Sequence, residues 1–150
     1  MSNIAKGIAE MNRRMKELQE SFRKDGTKLL LEAFADFFQK YPDVVEVRWQ
    51  QYTPYFNDGD ECVFRVGEFI PVNEKYLNEL YNASYRESIN SYWDVYDNPM
   101  YKEPGFAEMR NDLANLRKEI GNEALKLMLG DHLLVRISRV ELITNEYDHE

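Results

Sequence analysis

Two short runs of alternating residues around a loop of turn formers constrain this chain more than any other feature. Val45, Val47 and Trp49 alternate with Glu46, Arg48 and Gln50, and Cys62, Phe64 and Val66 repeat that period of two, the pattern of a half-buried strand. Between them, Thr53-Pro54 and Asn57-Asp58-Gly59 preset or tolerate turning values of φ, so the runs pair as antiparallel neighbours joined by an extended hairpin loop. Pro71 is expected to close the second strand.

Such a sheet needs a layer over one face, and two long helical patterns supply it. Ile4, Ile8, Met11, Met15, Leu18 and Phe22 recur in steps of four and three, with charged residues between them, which is a narrow heptad seam. Leu29, Leu30, Ala33, Phe34, Phe37 and Phe38 then form a wider face. Gly26 weakens the helix by about 1 kcal/mol relative to Ala without ending it, and Tyr41-Pro42-Asp43 stops it, giving one helix over 3–40. A second heptad-like helix is predicted over 106–129, with Phe106, Met109, Leu113, Leu116, Ile120, Ala124 and Leu127 as its seam and Gly130 as its C-terminal cap. The Tyr-rich stretch between Asn73 and Pro104 suits a helix over 74–89 capped by Asn73. Val135 and Ile137, followed by Leu142-Ile143-Thr144, read as a closing hairpin.

Strands clustered in hairpins, without β-α-β alternation, indicate an α+β fold: the two long helices pack on one face of a small antiparallel sheet made of two hairpins. The 150 residues form one domain in this reading, with residues 1–25 as a protruding heptad-patterned helix. The interior half of the N-terminal seam is expected to pack along the 106–127 helix. The first three turns are expected to pair with another copy, so that Ile4, Ile8, Met11, Met15 and Leu18 serve oligomerisation and a dimer results.

Charge narrows the partners. The chain carries −8 overall, which argues against broad phosphate-backbone binding. Residues 1–28 nevertheless hold seven Lys and Arg against four acids, +3, while residues 29–150 hold twelve against twenty-three, −11. A basic arm on an acidic body suits an acidic protein surface as well as it suits nucleic acid, the latter through Arg13, Arg14, Lys16, Arg23 and Lys24. Cys62 is the sole cysteine and reads as packing in a reducing compartment. With no apolar signal core and no membrane-length run, the expected location is the cytoplasm of a bacterium or an infected host cell.

The run Trp49-Gln50-Gln51-Tyr52-Thr53-Pro54-Tyr55-Phe56-Asn57-Asp58-Gly59, followed by Cys62 and Phe64 and joined by the tail Tyr147-Asp148-His149, resembles a family of phage and bacterial proteins with a W-x-Q-Y-T-P-Y-F-N-D-G-x-x-C-x-F core. The resemblance spans mainly residues 44–69 and the tail, and it implies a C-terminal hairpin but no activity. Relatives of that kind turn this hairpin on a D-G pair. Here Val140-Glu141 stands instead.

Trp49, Gln51, Tyr52, Thr53, Tyr55, Phe56 and Asn57 combine aromatic faces with neutral hydrogen-bonding groups, a surface suited to a planar, nucleotide-like ligand or to a protein partner. The competing reading is a Tyr-rich core and rim. Asp58, Asp60 and Glu61, with His132, form an alternative divalent-metal site, against which stand the lack of EF-hand spacing and the turn-forming role of Asn57-Asp58-Gly59. Zinc is poorly served by two His and one Cys. No nucleophile elbow, P-loop or dinucleotide fingerprint is present. The sequence therefore reads as a non-enzymatic binding or interaction protein without a cofactor, its target being a small, nucleotide-like ligand or a host protein, with a phage accessory role implied by the resemblance alone. A small metal-dependent hydrolase using Asp58, Asp60 and Glu61 is the alternative.

Overall fold

The computed structural model describes residues 2–55, 59, 62–75 and 102–146. Its first element, α1 (Asn3–Lys40), runs for 38 residues, about 57 Å at 1.5 Å per residue. The Ser2 hydroxyl accepts the Ala5 N–H at 3.1 Å and starts the helix. Tyr41 N–H returns to the Phe37 carbonyl at its end, where Pro42 cannot extend the ladder. The buried residues of α1 are Gly26, Leu30, Phe34, Phe37 and Phe38, all in its second half and spaced to fall on one face.

β1 (Val44–Tyr52) is the centre of the sheet. On one side it pairs with β2 (Arg65–Val66) and β3 (Ile70–Asn73), and on the other with β4 (Leu133–Ile137), which pairs in turn with β5 (Leu142–Glu146). Every pairing is antiparallel, with Trp49 opposite Val135 and Val47 opposite both Pro71 and Ile137. Val45 is the extra residue between the Val44/Asn73 and Glu46/Val72 pairs. This bulge returns Val44 to the face shared by Val47 and Trp49; strict alternation would have turned it outward with Glu46.

Two expectations are corrected here. The second strand does not end at Pro71. Regular pairing lapses after Val66 and resumes through Ile70–Asn73 with Pro71 inside it, tolerated because β3 pairs, among the described residues, only with β1 and its outer edge needs no N–H donor there. The predicted helix over 106–129 is likewise two helices, α2 (Phe106–Ile120) and α3 (Asn122–Leu129), separated by Gly121 at φ 86°, ψ 150°. That backbone conformation is open to glycine and closed to a helix. Gly130 does cap α3, its N–H bonding the Lys126 carbonyl. The expected helix over 74–89 lies outside the described residues beyond Lys75, as do Tyr92, Trp93, Tyr96 and the tail Tyr147-Asp148-His149.

The described helices cover one face of the sheet, an α+β architecture. Trp49 sits at the centre of the core, stacked on Phe34 (5.8 Å between centroids, 6° between planes) and 4.3 Å from Phe69. Leu113 of α2, Leu125 of α3 and Ile137 of β4 belong to the same cluster. Gly26 marks the close approach of α1 to α3: a Cβ there would lie 2.7 Å from Cβ and Cγ of Met128. The β4–β5 turn spans Ser138 to Glu141, and the Ser138 hydroxyl accepts the Val140 and Glu141 N–H groups. Among the described residues His132 is the only non-glycine with positive φ, so this turn closes without the left-handed residue that an Asp-Gly turn uses. Arg139, at its tip, donates to the carbonyls of Phe38 (2.9 Å), Pro42 (3.1 Å) and Val44 (2.8 Å), and its guanidinium lies over the Phe38 ring. It thereby ties the hairpin to the end of α1, where carbonyls lack helical partners.

Candidate functional site

The longest row of exposed large apolar side chains among the described residues lies on the first half of α1. Ile4, Ile8, Met11, Met15, Leu18 and Phe22 are all exposed, from 76 % at Ile4 to 41 % at Phe22, and Leu29 continues the row at 57 %. From Ser2 to Asp25 only Glu10 is even partly covered. The expected packing of the inner half of this seam along residues 106–127 is therefore corrected: Met15, Leu18 and Phe22 are exposed, and among the described residues the buried positions of α1 begin at Gly26. Four charged side chains of the arm pair in cis. Arg13 pairs with Glu10 and with Glu17 at 2.7 Å, and Arg14 with Glu10 at 3.1 Å. Such exposed pairs are screened by solvent and add little, so they steady the helix without replacing tertiary packing.

The aromatic loop divides into core and corner. Trp49 and Gln51 are fully buried and offer no surface to a ligand. The Gln51 amide accepts the Trp49 indole N–H at 2.9 Å and donates to the carbonyls of Gly130 (2.7 Å) and Leu125 (3.1 Å). Their nomination as ligand contacts is thus replaced by a structural role, fastening β1 to the end of α3. Tyr52, Thr53 and Tyr55 keep open surface, Tyr55 most at 62 %. Phe56 and Asn57 lie outside the described residues, as do Asp58, Asp60 and Glu61.

Asp131 organises the corner. Its carboxylate accepts the Thr53 N–H (2.8 Å), the Thr53 hydroxyl (2.6 Å) and the His132 N–H (2.8 Å). Burial by itself would raise this carboxyl, but the Thr53 hydroxyl, the two N–H donors and the neighbouring His132 outweigh it and hold the group below the usual carboxylate range. His132, at φ 54°, stacks on Tyr55 with 4.8 Å between centroids and 11° between planes. The imidazole thus presents its neighbour with a π face, and its ring nitrogen Nε2 stays 3.8 Å from Asp131. No group of three or more potential metal ligands occurs among the described residues. Since Asp58, Asp60 and Glu61 are not among them, His132 is the one member of the alternative metal set with a described position.

Two further ionic clusters escaped the sequence reading. Glu46, buried on the sheet face opposite Trp49, pairs with Arg48 beside it and with Arg136 across the strand pair at 3.2 Å. At the other end of the core, Asp112 accepts the Tyr41 hydroxyl at 2.5 Å and Lys40 at 2.9 Å. These two donors, the hydroxyl first, hold the Asp112 carboxyl low against its burial, and the bonds to Asp112 and Glu108 push the Lys40 ammonium up. The spacing of one strand period between Glu46 and Arg48 was visible in the sequence; the partners on β4 and α2 were not. Grooves of about 570 and 790 Å³ flank the start of α2, lined among others by Glu68, Arg110, Tyr41, Asn73 and Met109. Neither includes the Tyr55–His132 corner.

The fold and these surfaces define an α+β protein with a projecting amphipathic helix. No family model matches the chain, and neither a curated protein nor a solved structure matches it. No described helix is long and apolar enough to cross a membrane.

Proposed function

We propose that this chain is a non-enzymatic interaction protein whose working surface is the seam of α1, docked against a helix of a protein partner. The observation that carries this reading is the uninterrupted row from Ile4 to Phe22, exposed throughout. A helix of about 20 residues without tertiary contacts is marginal in water, and contiguous apolar surface of this extent on a soluble fold marks an interaction site. The phage or bacterial setting rests on the sequence resemblance of residues 44–69 and the tail alone.

Native mass spectrometry of the untagged protein isolated from the cells that make it tests the reading. The expected spectrum contains an additional protein mass, either another copy or another chain, and a Met11→Lys/Leu18→Lys variant loses it. A bare monomer for both proteins, or a partner retained by the variant, would contradict the proposal.

A second reading keeps a small planar ligand at the corner, supported by the exposed Tyr55 ring already stacked on His132. It predicts a small organic mass in the same spectrum, lost on Tyr55→Ala. The metal-dependent hydrolase predicts a retained divalent ion instead.

A further inference from the structure

We infer that the occupant of the α1 seam is a second copy of this chain, with the two arms antiparallel and Met11 and Met15 at the dyad. This inference rests on the interaction reading above and names its partner. Steps of four and three place Ile4, Met11 and Leu18 at d positions and Ile8, Met15 and Phe22 at a positions of a heptad. A 3.5-residue period keeps one stripe facing one supercoiled partner, whereas a globular core is met by a wider 3.6-residue face. The second half of α1 shows the latter, and the first half shows the former.

The positions flanking the seam carry almost no charge code. They are Ala5, Asn12, Gln19 and Gly26 on one side and Gly7, Arg14, Ser21 and Lys28 on the other, and Arg14 is paired in cis with Glu10. Heterologous coiled coils are selected largely by charges at these positions. Neutral flanks fit a like copy. The seam is also accessible to one: on a helix of 3.6 residues per turn, the row Ile4 to Leu29 lies roughly a quarter turn from Leu30, Phe34, Phe37 and Phe38, which face the core. The six exposed side chains span residues 4–22, about 27 Å of helix at 1.5 Å per residue, a row long enough to lie along the same row of a second copy.

Orientation follows from charge. The heptad continues through Asp25 at the next d position before Leu29. Parallel arms in register would set the two Asp25 carboxylates against each other and bring two bodies of −11 side by side. Antiparallel arms pair Ile4 with Phe22, Ile8 with Leu18 and Met11 with Met15 of the second copy, the a-to-d matching that opposed helices require. Each +3 arm then points toward the acidic body of the other copy. Asp25 meets the start of the second α1, the positive end of the helix dipole, in a first turn that has no acid of its own.

The test uses the full chain with Cys62→Ser as background, and sedimentation over a concentration series gives the subunit number. A dimer is expected, weakened roughly a hundredfold or more by Met11→Lys with Met15→Lys, while the melting of the body is unchanged. Under mild oxidation, Ile4→Cys with Phe22→Cys forms a covalent dimer and Ile4→Cys alone does not. Cross-linking by Ile4→Cys alone means parallel arms and overturns the orientation. A monomer at every concentration overturns the second copy; the interaction reading then survives only if protein from its own cells carries another chain lost in Met11→Lys/Leu18→Lys, and falls otherwise.

Discussion

Between Leu30 and Phe38, α1 buries four large side chains against Trp49, Phe69 and their neighbours; between Ile4 and Phe22 it turns six apolar side chains of similar size to solvent. The two halves share helix-forming composition and an unbroken backbone. They differ in the width and period of the apolar stripe, and hence in the partner each can bury against. A wide stripe covers a sheet. A narrow one covers another helix, and it leaves its half of α1 dependent on what docks there.

The sharpest way to break this contrast is to remove one phenyl ring from each half. Phe34→Ala takes away the ring stacked on Trp49 and is expected to destabilise the body by about 3–5 kcal/mol, read by chemical unfolding. Phe22→Ala should leave body stability within about 0.5 kcal/mol. An equal loss for both would show that the arm is part of the same cooperative unit.

Gly26 is the border between the halves, and Gly26→Ala drives a methyl into Met128. The expected loss is about 1–3 kcal/mol. Adding Met128→Ala should make the pair less costly than the sum of the single changes, the non-additivity of residues in contact. Strict additivity would mean that α1 and α3 are not in close contact at Gly26.

The smallest expected effect belongs wholly to the body. Because the Asp131 carboxyl is held low in the folded chain, its bonds stabilise the protein above the unfolded value of about 4. That contribution is lost as the pH falls through the lower folded value. Asp131→Asn should therefore be less stable than the parent by about 1 kcal/mol at neutral pH, and the gap should close in acid. Arm-dependent association should not follow this titration.

How much of this was legible in the sequence depended on how local the cause was. The alternation of Val47 and Trp49, the stop at Pro42 and the cap at Gly130 are written in adjacent residues and the fold reproduces them, whereas Val45, expected on the same face, is the bulge residue and Val44 takes its place. The heptad row and its projection over residues 1–25 were legible too, but the partner of its inner half was not, since a stripe does not state which helix it meets. Trp49 and Gln51 were misread as ligand contacts. Their i, i+2 spacing with Val47 put all three on one strand face, yet the carbonyls that bind Gln51 lie 74 and 79 residues away, and Asp131 reaches Thr53 across 78. Gly121 breaks a helix, where a glycine could equally have been carried within one, as Gly26 is.

The central claim is that the two halves of α1 are ordered by different partners, one by the body and one by association. Amide hydrogen exchange along α1, followed over a range of protein concentrations, tests it most directly. The account predicts protection of residues 30–40 that is independent of concentration, and protection of residues 4–22 that rises as the protein is concentrated and is lost in Met11→Lys with Met15→Lys. Protection of residues 4–22 that equals that of residues 30–40 at every dilution would contradict it.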